Sequence, residues 1–288
     1  GSEANEVAMK VAVQHFEARG DRQRTKIVGR SLSYHGTTIT TTAVGGHASR
    51  RLGLEGLLAS FQQAPTPYPL RSPLGRHHPD TGRWCVEALE EVLQREGPQT
   101  VAAFIAEPIV GSSGGALVPP DDYWPAVRAL CDRHGILLIL DEVMTGFGRT
   151  GVPFAGSHWG VTPDLLVSGK GLSGGYAPIG GVFATDAVLA PIAERGADVM
   201  FHTFGAHTAA CAASECVLRI LRDEQLVERA AHLGERLAAG LADAFADHPH
   251  VAETRGRGLL QAIEVVADRE TLEPFPAEAK VTTRIVEA

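Results

Sequence analysis

The chain has 288 residues, 44% of them hydrophobic, and a formal net charge of -8 from 26 Lys and Arg against 34 Asp and Glu. A chain of that length can bury a large core, and an acidic balance with dispersed arginines argues against nucleic acid as a partner. Cys85, Cys131, Cys211 and Cys216 lack framework spacing, no apolar stretch approaches the ~20 residues of a membrane span, and no signal sequence is visible; free thiols and a cytoplasmic location are expected.

Taken along the chain, Ser2 is placed as the cap of a helix running to about Arg19, with Ala4, Val7, Ala8, Val11, Ala12 and Phe16 on its apolar positions. A strand at 26–28 follows, then a loop rich in proline and glycine over 64–82, a helix over 85–95, a strand over 101–106 and a helix over 121–134. The runs 135–140 and 164–167 read as buried strands, and 182–184 as another. Helices at about 206–223 and 224–245 come next, with Cys211 and Cys216 as packing residues of the first. Residues 251–266 read as a strand or hairpin of a smaller domain, and 281–288 as a helix. The alternation is that of a doubly wound α/β fold, with a large domain over 1–223 and the start of an α+β domain over 224–288. Because the chain starts at Gly1 and stops inside a helical pattern, it reads as a fragment.

Three strand ends carry chemistry. Lys170, one of four lysines among 22 arginines, follows the run 164–167 inside a glycine-rich stretch. A solvent-facing loop lysine accounts for that segment equally well. Asp141 ends the apolar run 136–140, where a carboxylate is costly without a cation, although an Asp capping the next turn would explain it alone. Glu107 ends the run 101–106 in the same way. Ligands of open α/β sheets gather at strand carboxyl ends, so the groups converge on one crevice. An amine together with an acid is what pyridoxal phosphate requires: a lysine for its aldehyde, and a carboxylate that keeps its pyridine nitrogen protonated.

The segments 1–6, Tyr34-His35-Gly36, Glu107-Pro108, 141–151, 163–181 and 203–213 occur in the order of the class III pyridoxal-phosphate aminotransferases, and the chain resembles that family. The resemblance implies the fold type I architecture, a mostly parallel central sheet with helices on both faces. It makes Lys170 the Schiff-base lysine and Asp141 the partner of the pyridine nitrogen. It sets Val143 against one ring face and Tyr34 on the other, Gly1 and Ser2 at the phosphate, and Glu107 close to the pocket. Thr203 matches a threonine that reaches the phosphate from the neighbouring subunit, which implies a homodimer. A helix start at Ser2 suits a phosphate on physical grounds as well. Read alone, Gly1-Ser2 is also what a cloning remnant looks like, and the continuation into 3–6 speaks against that.

Other motifs fail. Gly146 through Gly151 spells GxGxxG, but Pro153 and Phe154 follow where a helix should open; Ser168-Gly169-Lys170 resembles the end of a P-loop, but Asp164 and Gly171 break it. His77-His78 and the pair His202 and His207 lack the companions of a metal shell, so no metal is expected. The resemblance implies transfer of an amino group from an amino acid or amine to a keto acid such as pyruvate or 2-oxoglutarate. Ser112 stands where relatives of the ornithine type carry a glutamate, which favours an ω-amino donor. Met144 stands where many members carry a glutamine, and it brings the segment close to the glutamate-semialdehyde aminomutases. An intramolecular mutase and a non-catalytic cofactor-binding fragment are the alternatives.

Overall fold

The computed structural model describes residues 1–196 and 202–287. In chain order its elements are α1 (Ser2–Ala18), β1 (Lys26–Arg30), α2 (Ile39–Val44), β2 (Gln62–Ala64), α3 (Thr81–Glu96), β3 (Val101–Ala106), α4 (Tyr123–His134), β4 (Leu137–Asp141), β5 (Leu165–Ser168), β6 (Gly181–Ala184), α5 (Asp186–Glu194), α6 (Thr208–Asp223), α7 (Leu226–Phe245), β7 (Val251–Arg257), β8 (Leu260–Val265) and α8 (Val281–Glu287). Of the helix expected over 281–288, Ala288 lies outside the described residues.

Six strands form one sheet in the order β2-β1-β3-β4-β5-β6. All neighbours run parallel except β6, which turns back antiparallel on β5 with Ser168 opposite Gly181. β3 and β4 are buried along their whole length because helices cover both faces. Phe104, Leu138 and Leu140 pack with Leu89 and Leu93 of α3 and Val127 of α4. Ile105, Ile139 and Val167 face the other way, onto Ala8 and Ala12 of α1 and Val188 and Ile192 of α5. The alternation of side chains along each strand thus feeds two cores from one sheet.

The expected helix over 85–95 starts a turn early, at Thr81, and the strand or hairpin expected over 251–266 is the antiparallel pair β7-β8, separate from the main sheet. Cys211 and Cys216, expected as packing residues, are exposed on α6, because α6 turns much of its surface away from the chain's own core; Cys85 and Cys131 are buried.

What positions the site is the polarity of the sheet. Neighbouring parallel strands β1, β3, β4 and β5 all end on the same edge, and there the chain delivers Tyr34 and His35, Glu107, Asp141 and Lys170. α1 starts at the same edge.

Candidate active site

A cavity of about 220 Å³ opens at that edge, lined by Gly1, Ser2, Asn5, Tyr34, His35, Gly36, Glu107, Ile109, Asp141, Val143, Met144, Thr145 and Lys170. Seven of the residues singled out in the sequence are therefore brought together: Gly1, Ser2, Tyr34, Glu107, Asp141, Val143 and Lys170. Thr203 is not among them; it is exposed and does not line the cavity.

Asp141 is 3% exposed, yet both of its oxygens are held. Oδ2 accepts from Asn5 Nδ2 at 2.9 Å and from His35 Nδ1 at 2.8 Å, and Oδ1 accepts from the Val143 backbone N–H at 3.1 Å. A carboxylate can only accept, so the proton of His35 sits on Nδ1. These three donors fix the carboxyl group in place at the cavity floor. Asn5 and His35 were not singled out in the sequence. The signal for Asn5 was a polar residue within the apolar stripe of α1, next to Ala4; for His35 it was adjacency to Tyr34.

Glu107 serves differently from an open acid. Its Oε2 accepts from the Tyr34 N–H at 3.0 Å and its Oε1 from the Gly111 N–H at 2.9 Å, so it braces two loops at the cavity wall. Burial pushes its carboxyl above the usual carboxylate range, with His35 and these two N–H groups pulling the other way. Arg30, fully buried on β1, donates to the Glu107 carbonyl at 2.6 Å and fixes the strand end beneath. Glu142, next to Asp141, turns out of the site and accepts from Thr145 Oγ1 and the N–H groups of Ala155 and Gly156.

Ser2 differs from expectation. Gly1 is the N-cap of α1 and no side chain caps the helix; the Ser2 hydroxyl instead accepts from the Thr37 N–H at 3.0 Å, because the 36–38 turn presses against it. Gly36 has φ +135°, and a Cβ there would run into Ser2, so only glycine lets the turn close on the helix start. The result is a backbone cup at a helix N-terminus, a setting that suits a phosphate.

Lys170 sits two residues beyond the end of β5 with φ +36°, a left-handed conformation for a non-glycine residue, and its side chain is exposed to the cavity. Such strain persists where surrounding structure enforces it, commonly at functional sites. Lys170 and Met144 also line a second cavity of about 410 Å³, bounded by Phe147, Leu221, Leu226, Leu259 and Leu260. Val143 lines the first cavity beside Gly1. The chemistry of the set fits pyridoxal phosphate: an amine for an aldehyde, a fixed carboxylate for a ring nitrogen, Tyr34 and Val143 for ring faces, and a helix start for the phosphate.

The fold and the site define a doubly wound α/β protein built around a lysine, a buried aspartate and an anion cup. The class III aminotransferase family model matches residues 1–287, and the chain belongs to that family. A taurine–pyruvate aminotransferase of Rhodobacter capsulatus is 39% identical over 285 residues, covering 98% of this chain and 62% of that protein. A putrescine–pyruvate aminotransferase of Pseudomonas aeruginosa is 37% identical over 285 residues, covering 96% of this chain and 60% of that protein. Among solved structures, an amine transaminase from an uncultivated Pseudomonas species in its PLP-bound form superposes with a TM-score of 0.93 at 39% identity, covering 97% of this chain and 64% of that one. The fold is that of the fold type I pyridoxal-phosphate transaminases. The chain spans less than two thirds of the length of these relatives.

Proposed function

We propose that the protein is a pyridoxal-phosphate-dependent transaminase that moves an amino group from an amine or ω-amino acid to pyruvate or a similar keto acid. The observation that carries this reading is the convergence of Lys170 and the triply hydrogen-bonded Asp141 on one cavity at a helix start. Pyridoxal phosphate bound there supplies an aldehyde and an electron-accepting ring. Asp141 holds a proton on the ring nitrogen, and Asn5 and His35 hold Asp141. Tyr34 and Val143 confine the ring, and Gly1, Ser2 and Gly36 orient the phosphate. The Lys170 amine would hold the cofactor through its aldehyde, and as a free amine beside the donor it would carry the proton lost from the donor carbon. The named relatives that use taurine and putrescine with pyruvate support an ω-amino donor.

A homodimer belongs to the same proposal, with Thr203 reaching a partner's phosphate. Thr203 is exposed beside Phe204 (79% exposed), and Tyr176 (86%) flanks Gly174 together with Val217 of α6, an apolar surface suited to a second copy. A cytoplasmic location is supported by the four free cysteines. The test is formation of alanine from pyruvate with taurine or a diamine as donor. Alanine that requires pyridoxal phosphate and is lost in Lys170→Ala supports the reading; alanine formation unaffected by Lys170→Ala, or none from any amine, overturns it, and a cofactor-loaded monomer in sedimentation contradicts the dimer.

A further inference from the structure

The turn that follows Glu107 is gripped from its far side by an arginine of the separate β7-β8 sheet. We propose that Arg255 is a positioning residue for the substrate pocket: it clamps the 111–115 turn against Met144, the side chain that forms a common wall of both cavities at Lys170. The proposal rests on the transaminase reading for the identity of the substrates, and on geometry for the clamp.

Arg255 Nε donates to the Gly115 carbonyl at 2.7 Å and Nη2 to the Gly114 carbonyl at 2.9 Å. The opposite side of the guanidinium is fixed by two acids, since Nη1 donates to Glu253 Oε2 at 2.8 Å and to the Glu264 carboxylate. Tyr68 lies under the guanidinium, 5.2 Å from carbon to ring centroid, and donates its hydroxyl to Glu264. Arg71 Nε holds the other oxygen of Glu264 at 2.7 Å. The side chain is 10% exposed and its charge is matched on the spot. A planar fork on two consecutive carbonyls is a geometry that lysine does not reproduce.

The clamped turn is coupled to the pocket at its base. Val110 and Leu117 exchange backbone hydrogen bonds at 3.0 and 3.1 Å, Gly115 N–H reaches the Gly111 carbonyl at 2.8 Å, and Gly111 N–H reaches Glu107 Oε1 at 2.9 Å. A Cβ at Gly111 would collide with Met144 Sδ, so backbone and thioether are already in contact. Met144 and Lys170 line both cavities. Displacement of the turn tip is therefore passed through Gly111 to Met144 on one side and to the Glu107 brace on the other. Apart from Arg255, the only side-chain bond to the tip among the described residues is Ser113 Oγ to the Leu32 carbonyl.

The test is Arg255→Lys in the cofactor-loaded protein, read by amide hydrogen exchange over 109–118 and by steady-state kinetics. The clamp predicts about tenfold faster exchange at Gly115 and Leu117. It also predicts KM for pyruvate and donor raised about tenfold, kcat changed by less than about threefold, and an unchanged cofactor absorbance. Because the effect passes through Met144, it shrinks in the Met144→Leu background. Unchanged exchange and KM, or a KM effect that simply adds to that of Met144→Leu, overturns the proposal. Should Arg255→Lys not fold, Glu264→Gln, which loosens the Nη1 end, is predicted to shift exchange and KM in the same direction, and no shift overturns the proposal equally. A wild-type protein that binds no pyridoxal phosphate defeats the transaminase reading, while the exchange measurement still decides the clamp.

Discussion

Asp141 keeps its place through Asn5, His35 and the Val143 backbone, all donors, and no lysine or arginine pairs with it among the described residues. The cation expected from the sequence at this strand-tip acid is replaced by amide, imidazole and backbone N–H groups from α1 and two loops. Asp141→Asn replaces an acceptor by a neutral amide that must face two donors with its one oxygen. Its expected effect is a loss of about 10²–10³-fold in kcat/KM with the cofactor still attached to Lys170, as for other preorganised charge partners. His35→Gln, which leaves Asn5 and Val143 in place, is expected to cost about tenfold. Steady-state kinetics of the two variants checks both, and equal activity of Asp141→Asn and wild type removes Asp141 from the reaction.

At the scale of elements, legibility followed burial. The runs 101–106 and 135–140 could be read as strands because helices on both faces leave no polar positions in them. β2 is a three-residue edge strand, Gln-Gln-Ala, and α2 is a six-residue threonine-rich turn of helix without a side-chain cap; neither carries a periodic signal, and both are held by what they pack on. The site shows the same division: Lys170, Asp141 and Glu107 were legible as polar ends of apolar runs, whereas Asn5 and His35 gain their roles only from distances closed by folding. α1 and α5 meet at another such contact, where buried His15 Nδ1 lies 2.9 Å from the Val188 carbonyl and Nε2 lies 3.3 Å from Arg19 Nη1. With Nε2 accepting from arginine, the ring is neutral and donates from Nδ1. Burial holds its pKa below 6.5, with Arg19 acting in the same direction and the Val188 bond and Asp164 opposing. The unfolded chain then takes up the proton first as pH falls, so stability is lost as pH drops through 6.5 toward the lower folded value. Urea unfolding at pH 7.5 and pH 5.5, about one unit either side of the ordinary histidine value, is expected to show a smaller pH difference for His15→Gln than for wild type. An unchanged difference would assign the pH dependence to other groups.

For the whole molecule, one sheet edge collects the ends of four parallel strands and a helix start, while β7-β8 reaches back to the pocket through Arg255. Relatives longer than this chain share its fold over nearly its full length. The most direct measurement is borohydride reduction of the protein mixed with pyridoxal phosphate, followed by peptide mapping. A Schiff base at Lys170 predicts a visible-wavelength absorbance that disappears on reduction and a phosphopyridoxyl group on the peptide containing Lys170, retained at reduced turnover in Asp141→Asn. Label spread over Lys10, Lys26 and Lys280, or no stable adduct at Lys170, would contradict it.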